Sequence, residues 1–427
     1  MSYYRSWIGG EPPVRYISSV RDDVEIVEEV VKVAKAHVQH LAEVGAAPRE
    51  AAEAILDALS QLDYRQVLAE GFEDVHEALE KWLVDRLGEE VGGWLGLGRS
   101  RNDHVAAAIR LAALRKAGEL RRGVERLRCV LARRALEYSQ CAMPSFTHFQ
   151  PAQVITFGHY LMAVDGLAGE FLQVLASAEG LLRKSPLGAG PAGGVRPPVD
   201  RRRLAELAGF SDVVENSLYA SGGRFFMANL AAAVASFLVE LSRAVDDFIR
   251  WNSPVVGYIK APPGHLSTSS IMPHKRNLVT LEVFRGRAME AVGHLTALLS
   301  VISKVGVGYS LDLQEATRHL WSILDIAIGG VEVFRDFVEK MEFDCQKARQ
   351  DAERYYSTSS DTVEAMALGG TSFRRAYFQL AREIGEGQAH LLSVEEALRR
   401  PAAGSANPEE VKKAASRVAA AFCGSGL

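Results

Sequence analysis

Residues 224–251, RFFMANLAAAVASFLVELSRAVDDFIRW, decide the fold class, because glycine and proline are missing from the whole stretch. Its apolar residues, among them Phe225, Leu230, Val234, Phe237, Leu238, Leu241, Val245 and Phe248, recur every three or four positions. That period is helical, and about 28 residues at ~1.5 Å each span about 42 Å. Helices of this length belong to bundles and coiled coils. Apolar residues lie almost all round this one, so burial on several sides is expected, in part by other subunits.

On either side the same period predicts a helix from just after Asp103 toward Tyr138, and others over 157–182, 278–304 and 313–341. Sustained two-residue alternation and Asn-Gly turns are scarce, which argues against a sheet. Three polar stretches bearing glycine or proline, 92–103, 144–156 and 252–277, read as loops, where functional side chains concentrate. The expectation is a mostly helical, all-α chain with a central antiparallel bundle of very long helices.

Composition narrows the function. The 427 residues are 48% hydrophobic, enough for a large core and too many for a disordered chain. With 49 Lys+Arg against 53 Asp+Glu, the net charge of -4 gives no general attraction to nucleic acid or anionic membrane. Four cysteines (Cys129, Cys141, Cys345, Cys423) are scattered without a CxxC, which predicts no disulfide framework and a reducing compartment. Residues 1–13 show no apolar leader core, and no run of about 18 apolar residues suggests a membrane span. A soluble cytoplasmic protein is expected.

Two motifs are set aside. Gly188-Ala-Gly190-Pro-Ala-Gly193 spells GxGxxG, but a dinucleotide site needs a strand before it and a helix opening inside it. Here a helical segment precedes it and Pro191 interrupts it, so no nicotinamide site is expected. His37 and His40, three apart on a helix, lack a third metal ligand and read as exposed helix residues. The loop GHLSTSSIMPHKRN, residues 264–277, is richer. Its hydroxyls, cations and backbone amides ahead of a helix N-terminus make a cradle for a carboxylate, with Lys275 and Asn277 as donors and Ser269 or Ser270 as a reacting oxygen.

SSIMPHKRN resembles the GSSxMPxKxN signature of the aspartase/fumarase superfamily. Gly98-Arg-Ser-Arg-Asn-Asp103 resembles the GRSRND element of its argininosuccinate lyase family. Thr147-His-Phe-Gln150, with Ala152-Gln153 and Thr156-Phe-Gly-His159, resembles that family's THxQxAQPxTFGH element. Fainter echoes are Ile17-Ser-Ser19, Glu73-Asp-Val-His76, Ser185-Pro-Leu-Gly-Ala-Gly190 and Tyr309 with Asp312-Leu-Gln314.

The resemblance implies a fold of three helical domains: an N-terminal one over 1–103, a central long-helix bundle carrying the signature loop over 104–345, and a C-terminal one over 346–427. A homotetramer whose active sites draw on three subunits follows from the same resemblance. It implies elimination of fumarate from argininosuccinate, a small-molecule substrate, to give arginine, with neither cofactor nor metal. Ser269 is then the base that removes the proton beside a carboxylate, its anion stabilised by loop amides and Lys275. Lys275 and Asn277 hold the reacting carboxylate. His148, oriented by Glu282, would deliver a proton to the leaving nitrogen. Thr147, Ser19, Arg101, Asn102, Tyr309 and Gln314 grip the substrate, and His76 stands at the edge of the site.

Departures bear on affinity more than on the elimination. Thr268 replaces the first signature glycine, and Thr317 replaces a lysine expected to touch the substrate. Gly222-Gly-Arg-Phe-Phe226 replaces Ser-Asp-Arg-Asp-Phe. Met272-Pro-His-Lys-Arg-Asn277 leans toward adenylosuccinate lyases, the runner-up. A catalytically silent crystallin-like protein would have lost Ser269 or His148, and both are present.

Overall fold

The computed structural model describes residues 14–424, so the leader reading of residues 1–13 lies outside the described residues. Its long helices are Arg101–Glu137, Phe157–Leu182, Phe225–Asn252, Val279–Ile302 and Asp312–Lys340. Each agrees with its expected range to within a turn. The fold is all-α, as the helical period demands, with strands confined to three two-stranded pairs among the described residues.

Local chemistry starts these helices. Ser100 and Asp103 form a reciprocal cap: Ser100 Oγ accepts from Asn102 N at 3.3 Å, and Asp103 Oδ1 accepts from Ser100 N at 3.2 Å. The longest helix therefore begins at Arg101, which puts Arg101 and Asn102 in its first turn rather than in a preceding loop. Thr156 Oγ1 accepts from His159 N at 3.0 Å and opens the next. Asn407 caps the final helix, Pro408–Phe422, after the turn expected from Pro401.

The chain divides into two compact units. Among the described residues the first comprises 14–119, 173–235 and 290–326, and the second 120–172, 236–289 and 327–424. The chain passes from one to the other along each long helix in alternate senses. In the first unit Val33, Ala36, Ala107, Leu111, Leu187, Leu204 and Phe210 form a core cluster. In the second, aromatic rings supply much of the core. Phe157 stacks on Phe343 at 3.9 Å, Tyr160 meets Trp251 at 4.7 Å, and Phe248 meets Phe334 and Phe337 at 5.6 Å. Offset and edge-on pairs of this kind add to the area they bury.

Four expectations are corrected. Residues 144–156 are not a loop: Ala142–Thr147 and Gln150–Thr156 pair as an antiparallel hairpin with Thr147 opposite Gln150. Its two-residue turn is His148-Phe149, with φ 52 and 59, the positive values that tight hairpin turns require. No Asn-Gly marks it, so the sequence signal was missing. All four cysteines are paired, Cys129 with Cys423 and Cys141 with Cys345, each with Cα atoms 5.2 Å apart. Separations of 294 and 204 residues hid the pairings. Disulfides occur in oxidising compartments and also inside hyperthermophilic archaea, so they settle no compartment.

His37 and His40 are buried, not exposed. His37 Nε2 lies 2.9 Å from Leu97 O, and His40 Nε2 accepts from Asp200 N at 3.0 Å. Both are buried in the fold, His37 bonded to a backbone carbonyl and His40 to a backbone amide, with His40 Nδ1 left without a hydrogen-bond partner. Finally, Phe157–Leu182 and Phe225–Asn252 are long and apolar enough to cross a membrane by length and composition. Of their apolar windows, 44% and 56% is buried inside the fold, as for core helices.

Candidate functional site

In the first unit, Ser19, Arg101, Asn102, Tyr309 and Gln314 line one cavity of about 110 Å³. These five were expected to grip the substrate, and the fold gathers them from positions far apart in the chain. Ser19 Oγ donates to Asp23 Oδ2 at 3.0 Å, and Gln314 Nε2 donates to Ile17 O at 3.0 Å. Arg101 Nη1 donates to Glu73 Oε2 at 3.2 Å and Asp74 Oδ2 at 3.0 Å. Asn102 Nδ2 reaches Pro191 O at 3.2 Å, which ties the helix start to the glycine-rich loop.

That loop is structural. Gly190 has φ 61, its N–H donates to Asp103 Oδ2 at 2.9 Å, and a Cβ there would meet Gly194 O at 2.8 Å. The loop packs on protein groups, with Gly190 O also accepting from Ser221 Oγ at 2.9 Å.

Sequence reasoning missed the charged wall of the cavity: Asp22, Asp23, Glu73, Asp74 and Arg224. The Glu73-Asp-Val-His76 echo supplies Glu73 and Asp74 to that wall, whereas His76 is not among the lining residues. His76 is buried away from the cavity, with Nδ1 3.4 Å from Arg99 Nη2. Arg99 in turn pairs with Glu80 at 3.2 Å. Burial pushes His76 down to about 3, so it stays neutral. It sits beside Arg99 and does not line this cavity.

Burial raises the Asp23 carboxyl to about 7, against the Val75 N–H and Ser19 hydroxyl that favour its anion. Burial likewise lowers Arg224 to about 10. Arg224 Nη1 donates to the carbonyls of Ser221 at 3.1 Å and Gly223 at 3.2 Å, and its Nε has no partner. The glycines before it have a steric reason. A Cβ on Gly222 would lie 2.3 Å from Val307 O, so the departure from the family's serine accompanies a close backbone crossing. Thr317 lines the same cavity, nearly buried, whereas Arg318 pairs with Glu315 and lies 3.5 Å from Asp22. Arg318 therefore does not line the cavity in place of the family's lysine.

In the second unit His148 and Glu282 line a common cavity with Tyr160, Asp246, Asp247, Trp251 and Arg285. His148 reaches it from the hairpin tip, and Glu282 from the first turn of the Val279–Ile302 helix. Tyr160 donates to Asp247 Oδ2 at 2.8 Å, and Arg285 Nη1 donates to Asp246 Oδ1 at 2.5 Å. Burial raises both Tyr160 and Asp247. Thr147 is exposed on the hairpin and is not part of the cavity wall.

Ser269, Lys275 and Asn277 share the loop before that helix and do not line the His148 cavity. Ser269 Oγ accepts from the Ile271 and Met272 N–H groups at 3.3 and 3.2 Å. Two amides aimed at one hydroxyl oxygen form a small oxyanion cradle. Lys275 is exposed. Among the described residues no group of three or more His, Cys, Asp or Glu is placed to hold a metal.

Residues 15–293 match the family described as Lyase. The chain is 75% identical over 418 residues to an argininosuccinate lyase of Pyrobaculum neutrophilum, covering 97% of each. It is 38% identical to one from Pyrococcus furiosus, covering 93% of this chain and 89% of that one. An EDDS lyase variant with bound fumarate shares the fold at TM-score 0.84 and 24% identity, over 97% and 91% of the two chains. A class II fumarase from Schistosoma mansoni does so at TM-score 0.75 and 16% identity, over 93% and 90%. With the hairpin histidine, the serine loop and the GRSRND helix start on one all-α scaffold, and with relatives this similar along nearly its whole length, the chain belongs to the lyase family and, within it, to the argininosuccinate lyases.

Proposed function

We propose that the protein eliminates fumarate from argininosuccinate and leaves arginine, as a cytoplasmic step of arginine formation. The observation that carries this reading is the mixed charge of the first unit's cavity. Asp22, Asp23, Glu73 and Asp74 suit a cationic guanidinium or ammonium group, while Arg101 and Arg224 suit a carboxylate. A substrate with an amino-acid end and a guanidino bridge presents both. Arg224 is the stronger anion anchor, because its hydrogen-bond partners are carbonyls and no carboxylate compensates its buried charge.

The hard step is removal of a proton beside a carboxylate, which builds a second negative charge on that group. Ser269, acting as the alkoxide that the two amides and Lys275 stabilise, takes the proton and becomes the neutral hydroxyl; Lys275 and Asn277 bind the carboxylate as its charge grows. The carbon–nitrogen bond then breaks, its electrons go to the guanidino nitrogen, and His148 returns a proton there. Glu282 holds the imidazole in register. Thr147 and the gripping residues Ser19, Asn102, Tyr309 and Gln314 fix the substrate so that the proton faces the serine.

A complete site drawn from three chains of a homotetramer is part of this proposal. Val283, Met289, Val292 and Leu299 are exposed along the Val279–Ile302 helix, an apolar face of the kind that subunits bury. The three-segment division at 103 and 345 belongs to the same reading. Purified protein given argininosuccinate should release fumarate, followed by its ultraviolet absorbance. Ser269→Ala should abolish that release, a loss of at least about 1,000-fold, at unchanged oligomeric mass. An active Ser269→Ala variant would place the base elsewhere.

A further inference from the structure

The serine loop is pinned at its feet and free in its body. Ser267 and Asn277 exchange both backbone hydrogen bonds, at 2.9 and 2.8 Å, so residues 268–276 leave and rejoin the fold through one clip. Within the loop, contacts are local. Ser269 receives its neighbours' amides, and Arg276 Nη1 donates to Thr268 Oγ1, Pro273 O and Lys275 O. Ile271 at the tip is 83% exposed. A segment braced internally and joined by two feet moves as a body about those feet.

His265 stands just before the clip and is buried. Its Nδ1 lies 2.7 Å from Thr280 Oγ1, in the first turn of the helix that the other foot enters. Its Nε2 lies 3.1 Å from Asp336 Oδ2 on the Asp312–Lys340 helix. Lys340 holds the other oxygen of Asp336 at 2.5 Å, and the Phe337 ring meets the imidazole edge-on at 5.4 Å. With Nε2–H donating to the carboxylate and Nδ1 accepting the threonine hydroxyl, one ring ties both feet to a third element.

We infer that His265 is a positioning residue for the elimination: through Thr280 and Asp336 it fixes the feet about which the Ser269 loop closes. The inference rests on the reading of Ser269 as the base. His265 itself lines neither cavity described above and touches none of the residues assigned to the chemistry. Its effect is geometric, and an error of about 1 Å at a reacting oxygen costs up to ~100-fold in rate.

Two readouts on the full-length protein test it. In His265→Ala, kcat should fall about 10- to 100-fold while KM stays within about twofold, since the gripping residues are untouched. Tryptic cleavage after the exposed Lys275 and Arg276 should accelerate about fivefold or more. His265→Gln, which keeps a donor for Asp336, should recover part of both, and Thr280→Val should repeat the loss from the other side of the ring. Wild-type kcat and cleavage rate in both His265→Ala and Thr280→Val would overturn the inference. So would losses that merely track the fraction of protein unfolded. If the wild type releases no fumarate, the functional reading fails, while the cleavage rates still decide whether His265 holds the loop.

Discussion

His148 and Phe149 hold φ values of 52 and 59, a region that costs non-glycine residues energy. The hairpin's pairing on both sides imposes it, and the result is an imidazole projected from a tip into the cavity it shares with Glu282. Elsewhere single residues are spent on the interior. Burial pushes His37 down to about 4 and His76 to about 3, and holds His104 well below 6.5. Unfolded, each binds a proton near 6.5; folded, each stays neutral until far lower. Between about 6.5 and 4 these three imidazoles therefore bind more protons unfolded than folded, and cost stability as the pH falls through that window. Asp23, raised to about 7, and Asp103, raised to about 6, act in the opposite sense. His37→Gln, which keeps a donor for Leu97, removes one of the three imidazoles, so its denaturant midpoint should fall less, or rise more, than the wild type's between pH 7 and pH 5. Identical pH dependence in wild type and His37→Gln would contradict the burial of a neutral His37.

At the scale of elements, the long helices were legible because their period and their freedom from proline extend over many turns. The Ala142–Thr147 and Gln150–Thr156 strands were not, since a bulge between Pro144 and Phe146 breaks their alternation and their turn has no glycine. The disulfides were equally hidden. Cys129–Cys423 fastens the end of the Pro408–Phe422 helix to the Arg101–Glu137 helix, beside the Arg128 guanidinium that lies 4.3 Å from the centre of the Phe422 ring. A cross-link of this kind contributes about 2–4 kcal/mol, chiefly by restricting the unfolded chain. Cys423→Ser should lower Tm by about 2–5 °C in calorimetry while leaving the rate of fumarate release unchanged. An unaltered Tm would mean that the bond is not formed in the folded protein.

Over the whole molecule, the residues expected to act together divide between two units. Ser19, Arg101, Asn102, Tyr309 and Gln314 belong to the first, and His148, Ser269, Lys275, Asn277 and Glu282 to the second. In the proposed tetramer neighbouring chains complete each site, so activity should disappear on dilution in step with the loss of tetramer, read by sedimentation and fumarate release on the same samples. Activity persisting at monomeric mass would exclude shared sites.

The sequence alone determined the all-α class, the long helices, the family, and five of the residues that line the first cavity. These follow from period, from end caps and from short motifs, all of which act over a few neighbouring positions. Only the tertiary structure decided which acids stand beside Ser19 and Arg101, that His76 faces Arg99 and not the cavity, and which cysteines meet. It also decided that His265 binds both feet of the serine loop. Those outcomes depend on contacts between residues tens to hundreds of positions apart, where burial and packing choose the partner and local pattern carries no trace of the choice.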